Sequence, residues 1–275
     1  MEKIDRLGWA AGVSFEAFGL RVGIRVRDQQ VLNSLISRIP GQWSLRNSAE
    51  VDRLYSVVTP AVIRRNVRPL YVLYGDHGRL SRTERFEEML DSFESDLDLY
   101  IAANSPETLF IHAGAVRWKE HAILIPGRSR TGKTSLVAEF LHAGASYYSD
   151  DLAIVDRSGY LHPYPRPLSV RIANDTSRRV RPEDLGAESA KSGRISVVLF
   201  TEYVASASWC PSRITHGQGI LRLLQNVPSA RKQPALVIDV LENAIKNAEV
   251  QASYRGEKES TVNSVLNYLD CRSVA

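Results

Sequence analysis

Eight residues, Gly127-Arg128-Ser129-Arg130-Thr131-Gly132-Lys133-Thr134, satisfy the pattern G-x-x-x-x-G-K-[ST] at every fixed position. In a chain of this length chance alone would meet that pattern on the order of one time in a hundred. The flanks make it rarer still. Ala122-Ile123-Leu124-Ile125 before it reads as a buried strand, and Ser135 to Leu141 after it has the apolar spacing of a helix. In that context the glycines let successive backbone N–H groups curl into one hollow. The helix N-terminus adds its partial positive charge, so the hollow suits phosphate. The residues from Gly127 to Ser135 would then cradle a nucleoside triphosphate. Lys133 would reach the β- and γ-phosphates, and the Thr134 hydroxyl would help hold Mg²⁺. ATP and Mg²⁺ are the expected cofactors.

A phosphate hollow says only that nucleotide binds. Transfer chemistry needs a metal-binding carboxylate and a group that activates the acceptor. Asp150 and Asp151 stand 17 and 18 residues after Lys133, closing a short strand at Ser146-Tyr147-Tyr148. The carboxyl end of a strand is where an open α/β sheet keeps its ligand crevice. Asp150 is assigned to the metal and Asp151 to the acceptor hydroxyl; the competing reading makes them ordinary turn and capping residues. His112 lies inside the apolar run Leu109 to Val116. A lone histidine in such a run is more often a satisfied core residue than a catalyst, so both roles stay open on spacing alone.

The rest of the composition narrows the class. At 275 residues the chain can form one large domain or two modest ones, and 44% hydrophobic with 24% charged residues is ordinary for a soluble globular protein. Lys plus Arg is 35 against 31 Asp plus Glu, a net charge of +4 without a concentrated patch. Arg64-Arg65 with Arg68, Arg178-Arg179 with Arg181, and Arg231-Lys232 read as solvated loops, so no nucleic-acid partner is expected. Two cysteines, Cys210 and Cys271, lack metal-ligand spacing and fit a reducing compartment. No apolar run approaches the roughly 18 residues of a membrane span, and the first residues lack the apolar core of a secretory signal. A cytoplasmic protein without a membrane partner is expected.

Two modules must position these groups. Residues 20–27 alternate apolar and charged, as a half-buried strand does. Gln29 to Ile39 reads as a helix stopped by Pro40-Gly41. Arg53 to Val58 and Leu70 to Tyr74 read as strands, with Gly75-Asp76-His77-Gly78 as punctuation. Ser81-Arg82-Thr83-Glu84 predicts a capping box opening a long helix to Ala103. Residues 1–104 thus form a small α+β module, expected to bring substrate or a partner. Residues 105–275 are expected to form an α/β phosphate-loop domain. Its strands run over Leu109–Val116, His121–Ile125, Ser146–Tyr148, Leu152–Val155, Leu168–Arg171 and Ile195–Phe200. His162 to Pro167 is too proline-rich for regular structure, and the chain from His216 onward is mostly helical with one strand near Val250.

Taken in order, Ile111-His112-Ala113-Gly114-Ala115-Val116, the phosphate loop, Tyr148-Ser149-Asp150-Asp151 and Pro167-Leu168-Ser169-Val170-Arg171 resemble the HPr kinase/phosphorylase family and its divergent relatives. Gly186-Ala187-Glu188-Ser189-Ala190-Lys191 is similar to that family's mobile Gly-Ala-rich loop. The likeness covers residues 108 to 225 or so. It implies an HPr-kinase-like α/β fold and an ATP- and Mg²⁺-dependent phosphotransferase acting on a hydroxyl. By position, Lys133 and Thr134 would serve the phosphates and Mg²⁺. Asp150 and Asp151 would serve the metal and the acceptor, and His112 would lie beside the transferred phosphoryl. Lys191 falls near a basic residue that helps bind phosphate in the family; Arg171 is set beside it as a phosphate or substrate contact. Two positions depart from the family: Ser135 and Ser169 stand where it carries Glu. Some divergent relatives phosphorylate a Ser on a small peptide, and a Ser of a peptide or protein is the expected acceptor. The alternatives are a non-catalytic nucleotide sensor and a small-molecule kinase. The acceptor's identity, the nucleotide preference and whether the chain forms a homo-oligomer are open at this level.

Overall fold

The computed structural model describes residues 3–39, 41–46, 48, 50–60, 68–127, 131–171 and 177–272. Pro40, Arg64, Arg65 and the loop residues Arg128, Ser129 and Arg130 lie outside the described residues. The chain divides into two compact units, Met1–Glu107 and Thr108–Ala275.

The first unit is a sheet with two helices. Its strands are β1 (Ala11–Ala17), β2 (Leu20–Val26), β3 (Trp43–Arg46), β4 (Arg53–Val58), β5 (Tyr71–Gly75) and β6 (Gly78–Thr83), in spatial order β3-β1-β2-β4-β5-β6. Helix α1 (Gln29–Ile36) is capped by Asp28, whose carboxylate accepts from the Gln30 N–H at 2.7 Å. Its regular turns stop at Ile36, three residues short of the expectation. The chain goes on through Arg38 and Ile39 with i→i−3 bonds, the tighter pattern common at helix ends. The second correction is larger. Ser81 to Thr83 are the end of β6, paired with Tyr71 to Leu73, and α2 (Phe86–Asn104) begins after them. Thr83 still works at the helix entrance: its hydroxyl accepts from the Arg85 N–H at 3.1 Å. The core joins Phe15, Val22, Ile24 and Leu73 of the sheet to Leu35, Met89, Phe93 and Leu97 of the helices. Tyr55 packs edge-on against Phe93, with ring centroids 5.0 Å apart, and donates its hydroxyl to Asp96 at 2.6 Å. β4 and α2 are therefore locked by one side chain with an apolar body and a polar tip.

The second unit places a mixed sheet between two layers of helix. Its long first strand β7 (Thr108–Trp118) is followed by β8 (His121–Pro126), α3 (Lys133–His142), β9 (Ser146–Ser149) and β10 (Leu152–Asp156). Then come β11 (Tyr160–His162), the hairpin β12 (Leu168–Arg171) with β13 (Ser177–Val180), β14 (Gly193–Tyr203) and β15 (Ser212–Arg213). Helices α4 (His216–Leu224) and α5 (Pro234–Ile245), strand β16 (Glu249–Arg255) and α6 (Lys258–Arg272) complete it. The main sheet runs β11-β10-β7-β8-β14-β16-β15, with β9 also on β7. Strands β8, β14 and β16 are parallel neighbours. The apolar runs of β8 and β14 are buried on both faces, as parallel strands covered by helices require. Leu124 and Val198 face Leu223, Val237 and Leu241 of α4 and α5. Ile123, Ile125, Val197 and Leu199 face Leu136 and Phe140 of α3 and Val265 and Leu269 of α6.

Candidate nucleotide site

Antiparallel pairing decides which residues meet. Both β8 and β9 run antiparallel to β7, so they share a direction and end at the same edge of the sheet. Gly127 leaves β8 there, and Asp150 leaves β9 there. Strand β7 passes this edge at His112. The Gly127 N–H donates to the His112 carbonyl at 3.2 Å on one side, and the Ala113 N–H donates to the Asp151 carbonyl at 3.1 Å on the other. His112 is also the register partner of Leu152. Three sequence-distant positions, 112, 127 and 151, thus stand in one row fixed by backbone hydrogen bonds.

Helix α3 brings the next pair. Gly132, in the left-handed region at φ 81°, turns the chain into the helix, and Lys133 and Thr134 are its first residues. A side chain at Gly132 would be strained by its φ and would collide with the Arg255 guanidinium, 2.3 Å from a Cβ placed there. Closeness between α3 and β7 needs a second glycine: a Cβ at Gly114 would come 2.5 Å from Val137 Cγ2. With the helix held there, the Thr134 hydroxyl donates to Asp150 Oδ2 at 2.9 Å. The other oxygen, Asp150 Oδ1, is buried without a hydrogen-bond partner among the described residues.

Electrostatics at this point are unusual for two acids and a lysine. Burial pushes the Asp150 carboxyl up to about 6; the Asp151 charge adds to that, while the Thr134 hydrogen bond and Lys133 oppose it. Burial holds Lys133 below the ordinary lysine range, against the pull of Asp151 and Asp150. Asp151 itself is exposed, and its Oδ1 lies 3.9 Å from His112 Nδ1. The His112 ring is about one-third exposed, with a side-chain accessibility of 32%. It is thus a residue at the sheet edge, not one sealed in the core.

The remaining expected residues make no hydrogen bond to Asp150 or Asp151 among the described residues. Thr131 and Ser135 flank the helix start and are exposed. Arg171 ends β12, opposite Ser177, and is exposed. Lys191 is exposed and its carbonyl accepts from the Tyr148 hydroxyl. Among the described residues no hydrogen bond or ion pair joins the side chains of Arg171 or Lys191 to Lys133, Asp150 or Asp151. The segment similar to a mobile loop is laid along β9: Tyr147 N–H donates to Glu188 O, and Ala190 N–H to Tyr147 O, both at 2.8 Å. Its own Ala187 and Ala190 are buried.

One residue escaped the sequence reading. Arg255, at the end of β16, is 4% exposed. Its guanidinium donates to the Thr131 carbonyl at 3.0 Å and to the Gly256 carbonyl at 3.3 Å, and lies 5.3 Å over the Tyr203 ring. It holds the backbone immediately before the helix. No spacing rule points to an arginine more than a hundred residues downstream; the only local signal is a charge at the end of a buried strand. Replacing Arg255 by Ala removes a charged donor from a buried carbonyl, a change typically worth about 1.5–3 kcal/mol. The expected result is a lower melting temperature together with roughly tenfold weaker nucleotide binding by calorimetry. Arg255→Lys should recover only part of it, because an ammonium cannot span both carbonyls as the planar fork does.

No family model and no curated protein matches this chain. Among solved structures, the HPr(Ser) kinase/phosphatase from Coxiella burnetii is similar to it at 10% sequence identity. That similarity covers 60% of this chain and 96% of that one, with a TM-score of 0.35. It is a distant structural relation. Among the described residues no helix is long and apolar enough to cross a membrane.

Proposed function

We propose that this protein transfers the γ-phosphoryl group of ATP, with Mg²⁺, to a hydroxyl, and that the acceptor is a Ser of a peptide or protein. One observation carries the reading: the Thr134 hydroxyl bonded to a buried Asp150 whose second oxygen is left over, beside Lys133 and one row from Asp151 and His112. An oxygen pair of this kind fits Mg²⁺, a hard cation that takes few protein oxygens and keeps its waters. Thr134 and Asp150 would hold it. Bound there, it would neutralise charge developing on the phosphate oxygens.

The residues divide the remaining work. Lys133 and the backbone N–H groups at the start of α3 stabilise the negative charge spread over the phosphoryl oxygens. Asp151, exposed and close to His112, orients the acceptor hydroxyl. As the acceptor oxygen bonds to the γ-phosphorus, the bond to the β–γ bridging oxygen breaks and its electron pair leaves with ADP. The acceptor proton passes to Asp151. His112, whose Nδ1 lies 3.9 Å from Asp151 Oδ1, helps hold that carboxylate beside the transferred phosphoryl. The first unit is assigned the capture of substrate or a partner, because none of these groups belongs to it. Both cysteines are free thiols, as a cytoplasmic setting would allow.

A nucleotide sensor without transfer is the second reading. It is favoured by Ser135 and Ser169, both exposed, and by the lack of any group of three or more His, Cys, Asp or Glu able to hold a metal among the described residues. The test is transfer of label from γ-labelled ATP to Ser-containing peptides, alongside ATP turnover without acceptor. Nucleotide binding with neither activity would replace the kinase reading by the sensor.

His112 separates the two in another way. His112→Asn is expected to slow transfer at least tenfold while leaving the melting temperature within a degree or two, because the ring is partly exposed. Destabilisation with normal turnover per folded molecule would assign His112 to the fold alone.

A further inference from the structure

At the carboxyl ends of β8, β14 and β16, where parallel strands leave a ligand crevice, a pocket of about 590 Å³ opens beside the loop. Its volume falls in the range of small-ligand sites, roughly 300–1,000 Å³. The last turn of α4 closes one side. Gly127 belongs both to this pocket and to the start of the loop. Asn226 belongs to it too, and the Asn226 carbonyl accepts the His112 N–H at 2.7 Å. One wall of the pocket is therefore joined by backbone hydrogen bonds to His112 on both of its peptide groups. Among the described residues of the loop and of α3, Gly127 is the one that lines it. At the other wall Arg222 lies 5.5 Å over the Phe200 ring; Glu202 lines the same pocket, and no ion pair joins the two among the described residues.

We propose that this pocket is the acceptor's site. The hydroxyl that receives phosphate would lie at the Gly127 end, toward His112 and Asp151, and a carboxylate on the same acceptor would pair with Arg222. The planar guanidinium of an arginine over an aromatic ring offers a carboxylate two parallel N–H donors. The ligand is a hydroxyl compound bearing a carboxylate, which a free hydroxy acid or a peptide with a terminal carboxylate could supply. The proposal rests on the phosphotransferase reading.

Cys210 lines the same pocket with an exposed thiol, and the second thiol, Cys271, can be removed as Cys271→Ser. The rate of Cys210 alkylation by N-ethylmaleimide then reports occupancy in the full-length chain without any turnover. The probes are L-serine, glycerate, a pentapeptide ending in Ser with a free carboxylate, its amidated form, and adenosine. Each is added with and without a non-hydrolysable ATP analogue. The expected result is at least fivefold slower alkylation with one of the carboxylate-bearing hydroxyl probes, little protection by the amidated peptide, and loss of protection in Arg222→Gln. Protection by L-serine or glycerate would identify a free hydroxy acid, and protection by the carboxylate peptide alone a peptide end. Protection by adenosine or by the ATP analogue alone would make this a nucleoside pocket and overturn the proposal. So would protection that survives Arg222→Gln, or none from any carboxylate probe. ATP calorimetry on the same protein reports the phosphate loop separately, so failure of the pocket and failure of the nucleotide reading give different outcomes.

Discussion

Replacing Lys133 by Ala is expected to abolish phosphoryl transfer and to weaken ATP about ten- to a hundredfold, with adenosine unaffected. The ammonium is buried at the start of α3, where its charge is unfavourable without an anion nearby and Asp150 and Asp151 only partly compensate. A group held charged against its own desolvation gains most when a phosphate arrives. A hydrogen bond to a charged group is typically worth about 1.5–3 kcal/mol, which sets the tenfold to hundredfold range. The loss should be confined to ligands that carry terminal phosphates, because the contact is to them. Calorimetry with ATP, ADP and adenosine on the folded variant measures it. Unchanged ATP affinity would remove the phosphate loop from this site.

The paired acids should separate cleanly. Asp151→Asn is expected to bind Mg·ATP as before and to transfer about 10²–10⁴-fold more slowly, the usual worth of a positioned base. Near-wild-type transfer in the Asn variants at both 150 and 151 would move the chemistry elsewhere. Asp150→Asn carries a different signature as well. Because burial raises this carboxyl from 3.8 to about 6, the folded protein binds its proton more tightly than the unfolded chain does. That contribution to stability is complete below about pH 4 and is lost as the pH rises through 6. Ligand-free Asp150→Asn should therefore be more stable than the parent at pH 8, by on the order of 3 kcal/mol at most. The advantage should vanish toward pH 4. Thermal melts across that range check it. A difference independent of pH would show that Asp150 is not held as a buried acid.

Much of the second unit was legible because its signals are local. The apolar run of β8, the glycine pattern and the helical spacing of α3 name one another, and β10 and the middle of β14 carry apolar runs that are buried in the same way. What was not legible lacks an apolar signal. Gly78-Arg79-Leu80-Ser81-Arg82-Thr83 makes an edge strand that is largely exposed, so its Ser and Thr read as a helix cap. β1, β3 and β15 are short or half-exposed and are recognised only by the strands they pair with. In the site, the roles of Lys133 and Thr134 could be expected from spacing. The bond from Thr134 to Asp150 depends on how closely α3 lies on β7, which Gly114 permits and no spacing encodes. Arg255 depends on a strand that reaches the loop only after the whole sheet has formed.

Strand β7 is a gauge that sets two clearances at once. The same peptide groups that space Gly127 on one side space Asp151 on the other. Side chains alternate along a strand, so a single-residue insertion between His112 and Ala113 need not merely stretch the site. If pairing with β8 is kept, it leaves Lys133 and its loop where they are and exchanges the residue presented at the row, turning the imidazole to the opposite face. Length variation in this one strand is thus a route by which such a chain could lose transfer and keep nucleotide, without a substitution at any of the residues that touch it.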